Sequence, residues 1–120
     1  MAKLKDVVWI GSSLKDLKAM PEGVQGDVGF ILDRVQRGLF HKDIKPLKGL
    51  SGVQEIRVDF DKDTYRTVYV LNLGDRIYVL HVFKKKSKQG IATPKPDMDV
   101  IRARLKTAKE EADDEQNKKR

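Results

Sequence analysis

Cysteine is absent from the 120 residues. This excludes a disulfide scaffold, a thiol nucleophile and a Cys-ligated metal, and it suits a reducing compartment. Histidine is scarce, with His41 and His81 far apart in the chain. No H-E-x-x-H sequence and no carboxylate cluster at ligand spacing accompanies them, so neither a metal nor a cofactor is expected. The nucleophile elbow G-x-S-x-G and phosphate-binding glycine loops are also missing. Long apolar runs are lacking as well. Val7–Ile10 is far shorter than a signal-peptide core, and nothing approaches the roughly 20 apolar residues of a membrane span. A soluble, cytoplasmic protein with no membrane partner is the expectation.

Charge is plentiful. Lysine and arginine number 25 against 18 acidic residues, a formal net charge of +7. Residues 106–120 hold five basic and five acidic side chains, so the whole excess belongs to the preceding part of the chain. Such a basic domain suits nucleic acid or an acidic protein, because each neutralised phosphate releases counterions. Charge also serves plain solubility.

Hydrophobic patterning predicts one α+β domain over residues 1–112 and a charged, disordered tail over 113–120. Lys5–Ile10 is the first strand candidate, ended by Gly11. Ser12 or Ser13 caps a short helix carrying Leu14 and Leu17. Pro21 opens a second helix, in which Val24, Val28, Ile31, Leu32 and Val35 recur at helical steps and Gly38 is the stop. Gly26 and Gly29 inside it read as a sign of close packing. Leu39–Ser51 is a loop with Phe40, Ile44 and Leu47 as apolar plugs. Three β-rich runs follow, Val53–Phe60, Thr64–Leu73 and Arg76–Phe83, with the Gly74-Asp75 pair a hairpin signal. Thr93-Pro94 then starts a helix through Met98, Ile101, Leu105 and Ala108. The expected order is β-α-α-β-β-β-α, a twisted, mainly antiparallel sheet with two N-terminal helices on one face and a C-terminal helix.

Alternation sorts the strand side chains. Gln54, Ile56 and Val58 share one face, and Glu55, Arg57 and Asp59 the other, which reads as outside the core. Arg66 and Val68 point away from Tyr65, Thr67 and Tyr69. Ile77, Val79, His81 and Phe83 alternate with Tyr78, Leu80 and Val82, so this strand is apolar on both faces. It runs directly into Lys84, Lys85, Lys86 and Lys88. A lone histidine in an apolar strand is commonly structural, and Arg57 and Arg66 also pair naturally with Glu55 or Asp59. Yet two strand arginines, a strand-end histidine and a lysine cluster on one surface suit metal-independent RNA cleavage. There the 2′-hydroxyl attacks the adjacent phosphate, a base takes its proton, an acid protonates the 5′-oxygen, and fixed cations hold the charge on the phosphorane.

Four segments carry a resemblance. They are Gln54-Glu55-Ile56-Arg57, Tyr65-Arg66-Thr67-Val68-Tyr69, Leu80-His81-Val82-Phe83 with Lys84-Lys85-Lys86-Ser87, and Thr93-Pro94. In this order and spacing, over residues 5–108, the chain resembles the RelE/HigB superfamily of toxins from bacterial toxin–antitoxin pairs, in its phage-derived HigB-like branch. The resemblance implies a RelE-like fold and an mRNA endoribonuclease acting on the 70S ribosome. It also implies a cognate antitoxin, a small helix-turn-helix protein through which alone operator DNA is reached. By position, Arg57 and Arg66 would bind the scissile phosphate, Lys85 and Lys86 would supply charge or the leaving-group proton, and His81 would be a base candidate with Glu55 behind it. Lys45, Lys48, Lys84, Lys88 and Lys95 would bind RNA. No aromatic or histidine follows Phe83, so the C-terminal tyrosine or histidine of some relatives has no counterpart. Two other functions suit the same residues: a non-catalytic nucleic-acid- or protein-binding module, and a gyrase-directed toxin of the ParE type.

Overall fold

The computed structural model describes residues 4–86 and 92–118, with Lys86 described by its backbone alone. The elements are β1 (Asp6–Trp9), α1 (Ser13–Lys18), α2 (Glu22–Gln36), β2 (Ile44–Pro46), β3 (Val53–Phe60), β4 (Asp63–Leu73), β5 (Arg76–Lys86) and α3 (Lys95–Lys118). The five strands form one sheet in the order β1-β5-β4-β3-β2. Only β1 and β5 pair in parallel; the other neighbours are antiparallel. This is the expected α+β architecture with one strand more, because β2 lies within the predicted loop Leu39–Ser51.

Apolar residues are buried on both sides of the sheet. On one side Leu17 of α1 and Val24, Val28, Ile31, Leu32 and Val35 of α2 cover Ile56, Val58, Tyr65, Tyr69, Ile77, Val79 and Val82. On the other, Ile101, Leu105, Ala108 and Ala112 of α3 cover Val53, Val68, Val70, Tyr78, Leu80 and Phe83. β5 is thus covered on both faces, as its unbroken apolar run requires.

Local chemistry sets the element ends. Gly38, at φ 76°, closes α2 as its Leu39 neighbour donates its amide to the Arg34 carbonyl at 2.8 Å, a Schellman arrangement. Asp61 and Lys62 both take positive φ, 48° and 72°, as a two-residue hairpin turn between twisted strands demands. Gly11, at φ 58°, turns β1 towards α1, and a β-carbon there would lie 2.7 Å from Nε of Arg104. That arginine donates to the Leu80 carbonyl and to Ser12 Oγ, at 3.0 Å each, and so ties α3 to β5 and to the start of α1.

Several expectations are corrected. Phe40 is 68% exposed rather than a plug, whereas Leu47 is buried and Ile44 packs against the α2-side core. A β-carbon at Gly26 or Gly29 would have no neighbour within 4 Å among the described residues, so neither glycine marks close packing within this chain. α3 continues to Lys118 where the apolar pattern ends near Ala112, and Glu115 meets Arg76 at 3.1 Å.

The phase of β5 also differs from simple alternation. Val68 of β4 pairs with His81 but the next residue, Tyr69, pairs with Val79, leaving Leu80 as the extra residue of a β-bulge. Beyond it, Val82 joins Val79 in the α2-side core while Phe83 joins the α3-side core. Phe83 therefore does not share the face of Ile77 and Val79, and the residues that follow change sides with it.

Candidate active site

Three cross-strand rows build the site on the face that α3 partly covers. The first row is Glu55, Val68 and His81; the second is Arg57, Arg66 and Phe83; the third is Asp59, Thr64 and Lys85. Paired residues in neighbouring strands point to the same side, so Glu55, Arg57, Arg66 and Lys85 converge.

Glu55 is the centre of this group. It is only 1% exposed, which reverses its reading as a solvent-facing residue. Its Oε1 accepts from Arg57 Nε at 2.5 Å, and Arg66 Nη1 lies 3.5 Å from each carboxylate oxygen. Charge of both signs makes the burial tolerable. Arg66 is itself buried, and burial lowers its pKa, as does Arg57, while the Glu55 charge opposes the fall. Arginine nonetheless stays protonated in water's range.

Lys85 is buried beside them, with Nζ donating to the Ala92 carbonyl. Its pKa is lowered first by burial and then by Arg66, with Arg57 adding to the effect and Glu55 opposing it. A desolvated ammonium held next to guanidinium groups gives up a proton more readily than an exposed lysine.

His81 lies one row further back. Nε2 is 2.7 Å from Asp97 Oδ1 in the first turn of α3, and the ring stacks on Phe83 with centroids 4.9 Å apart. Nδ1 is buried and finds no hydrogen-bond partner among the described residues. One ring nitrogen is therefore engaged and the other enclosed, so this histidine joins strand to helix.

The lysines divide. Lys45 pairs with Glu55 in the β2–β3 ladder and extends the first row to the sheet edge, while Lys48 is exposed just after β2. Lys84 falls opposite Tyr65 of the α2-side core and lies 3.5 Å from Asp63, so it belongs to the other face and not to the cluster. Lys86 pairs through its backbone with Asp63, and its side chain lies outside the described residues, as does all of Lys88. Lys95 is exposed at the start of α3 and bonds Asp99 at 3.0 Å. Two contributors were missed in the sequence: Asp97, which no spacing links to His81, and Arg104, which reads as one more charge on an exposed helix side. Among the described residues, no group of three or more His, Cys, Asp or Glu side chains is arranged to hold a metal ion. Nor is any helix among them long and apolar enough to cross a membrane.

The sheet and the helices packed on it have counterparts of the same overall fold. A mutant of E. coli toxin RelE in the free state superposes with a TM-score of 0.57, at 16% identity, over 87% of this chain and 97% of that one. A chain of a RelB–RelE antitoxin–toxin complex of Methanococcus jannaschii is similar too, with a TM-score of 0.51 and 29% identity over 63% of this chain and 87% of that chain. The fold is thus that of RelE-like toxins. Within this class, residues 15–106 match the family described as phage-derived protein Gp49-like, and the chain belongs to that family. No curated protein matches the sequence significantly.

Proposed function

We propose that the protein is the toxin of a type II toxin–antitoxin pair and cleaves mRNA on the ribosome without a metal ion. The observation that carries this reading is the convergence of Arg57, Arg66 and Lys85 around one buried carboxylate, with Arg57 the member that reaches solvent. Three fixed cations suit the charge that builds on a phosphorane, and their preorganisation is what an efficient site requires. In the proposed step the 2′-oxygen bonds to phosphorus as its proton passes to water, and the bond from phosphorus to the 5′-oxygen breaks. Lys85 gives its proton to that 5′-oxygen. The products are a 2′,3′-cyclic phosphate and a free 5′-hydroxyl. Arg57 grips the phosphate from the solvent side and Arg66 supports it from beneath. His81 is assigned to holding α3 rather than to the base role. Lys45 and Lys48 extend the phosphate track along the sheet edge.

The proposed partner is a small helix-turn-helix antitoxin whose acidic or apolar segment covers the cation face, with operator DNA bound through it alone. The similar chain from the M. jannaschii antitoxin–toxin complex supports an antitoxin partner in general. A cytoplasmic site of action goes with a ribosomal target.

The test is controlled expression followed within minutes by mapping of cellular mRNA 5′ ends, beside an Arg57→Gln copy whose fold is checked by circular dichroism. Cuts within translated frames for the wild type alone are expected. Growth arrest without cuts would direct attention to another target such as gyrase, and folded protein giving neither would refute the toxin reading.

A further inference from the structure

We propose that Glu55 is a positioning residue, whose buried carboxylate aims the Arg57 guanidinium at the substrate phosphate; this deepens, and rests on, the nuclease reading. A β3 position beside Val53 of the α3-side core would ordinarily hold an apolar side chain, and a carboxylate there must be compensated. Glu55 is compensated in one particular way. It bonds the Nε edge of Arg57 at 2.5 Å, and the two Nη groups make no hydrogen bond or ion pair among the described residues. Arg57 keeps 30% of its side chain exposed, against 4% for Arg66, so Arg57 is the guanidinium that an incoming phosphate meets. A planar fork held by one edge presents its other donors in a fixed direction.

The same contact bars Glu55 from proton abstraction, since both of its oxygens face guanidinium groups. Its charge also acts on Lys85, which is faced by Arg66 on β4 and by Arg57 on β3, with the His81–Asp97 pair in the row behind.

The experiment uses the full chain and ribosome-bound mRNA, comparing wild type with Glu55→Gln, Arg57→Gln and the double variant. Single-turnover cleavage in Glu55→Gln is expected to fall about 100-fold, the scale of a misplaced catalytic group. Binding of mRNA carrying a 2′-deoxy sugar at the cut site should stay as tight or tighter, because no cation is lost. The double variant should be no slower than Arg57→Gln, since Glu55 acts through Arg57. The Lys85 limb of the pH–rate profile should move to lower pH when the Glu55 charge is gone. Cleavage within about twofold of wild type, or an additive loss in the double variant, would overturn the proposal. If Glu55→Gln does not fold, Glu55→Asp replaces it: slowed cleavage with the pH limb in place is expected, and unchanged cleavage overturns the idea. Should the wild type itself fail to cleave, the nuclease reading falls separately. The Arg57 Nε–H resonance then decides: an unchanged signal in Glu55→Gln would show that the carboxylate does not hold the fork.

Discussion

His81 Nε2 and Asp97 Oδ1 lie 2.7 Å apart and join β5 to the first turn of α3. A clasp and a general base make different demands under mutation. Asp97→Asn and His81→Gln should each lower stability by about 1–3 kcal/mol, the cost of losing a partly buried charge-assisted bond. Cleavage by the folded variants should fall by less than about tenfold, whereas loss of a general base costs roughly 100-fold or more. Urea denaturation and single-turnover cleavage together check this.

Arg66 and Arg57 share one carboxylate but differ in exposure, so their removal should differ in kind. Arg66→Ala takes a buried guanidinium from the side of the buried Glu55 carboxylate, leaving it Arg57 and the neighbouring Lys85, and should cost about 3–5 kcal/mol of stability. Arg57→Gln, whose own side chain is 30% exposed and whose amide can still donate to Glu55, should cost less, about 1–3 kcal/mol. Thermal melts of the two proteins check the order, and equal losses would contradict the burial that separates them.

Burial holds the folded-state pKa of Lys85 below its ordinary value of 10.5. Between that lowered value and 10.5 the unfolded chain binds more protons than the folded one, so this group makes stability rise with pH across the window. Below the window its desolvation penalty is fully present. The stability of wild type relative to Lys85→Met should therefore be flat near neutral pH and climb as pH rises towards 10.5. Tyr69, pushed up to about 12 by burial, and Tyr78, also raised by burial, titrate in both proteins and cancel in the difference. Denaturation of both at a series of pH values checks the slope.

Gly26 and Gly29 have nothing against which a methyl group would clash among the described residues, and both lie inside α2. Gly26→Ala and Gly29→Ala should each stabilise the protein by about 0.4–1 kcal/mol by narrowing the unfolded ensemble. Gly11→Ala should do the reverse, losing about 1–2 kcal/mol to its left-handed backbone alone, with the approach to Arg104 added. Melting curves of the three variants check the signs.

Much of this molecule can be read from its alternating and helical periods. Ile56 and Val58 against Arg57, and Tyr65 and Tyr69 against Arg66, lie on the faces that period 2 assigns them, because β3 and β4 pair regularly there. The reading fails where another force intervenes. The bulge at Leu80 resets β5, so no count from Ile77 can place Lys84 and Lys85. Burial of Glu55 is invisible because the stabilising cations come from two strands, one of them eleven residues away. β2 is only three residues long and ends in a proline, too little signal for a strand that exists through its pairing with β3. The helical continuation beyond Ala112 has partners such as Arg76 that lie far off in sequence.

The bulge in β5 gives the lysine triplet another meaning. A strand with one surplus residue can slip by a single step, and such a slip exchanges its two faces. In most sequences this would empty the site of its amine. Here Lys85 is flanked in sequence by Lys84 and Lys86, so a one-step change of register would still bring a lysine to that position of the ladder.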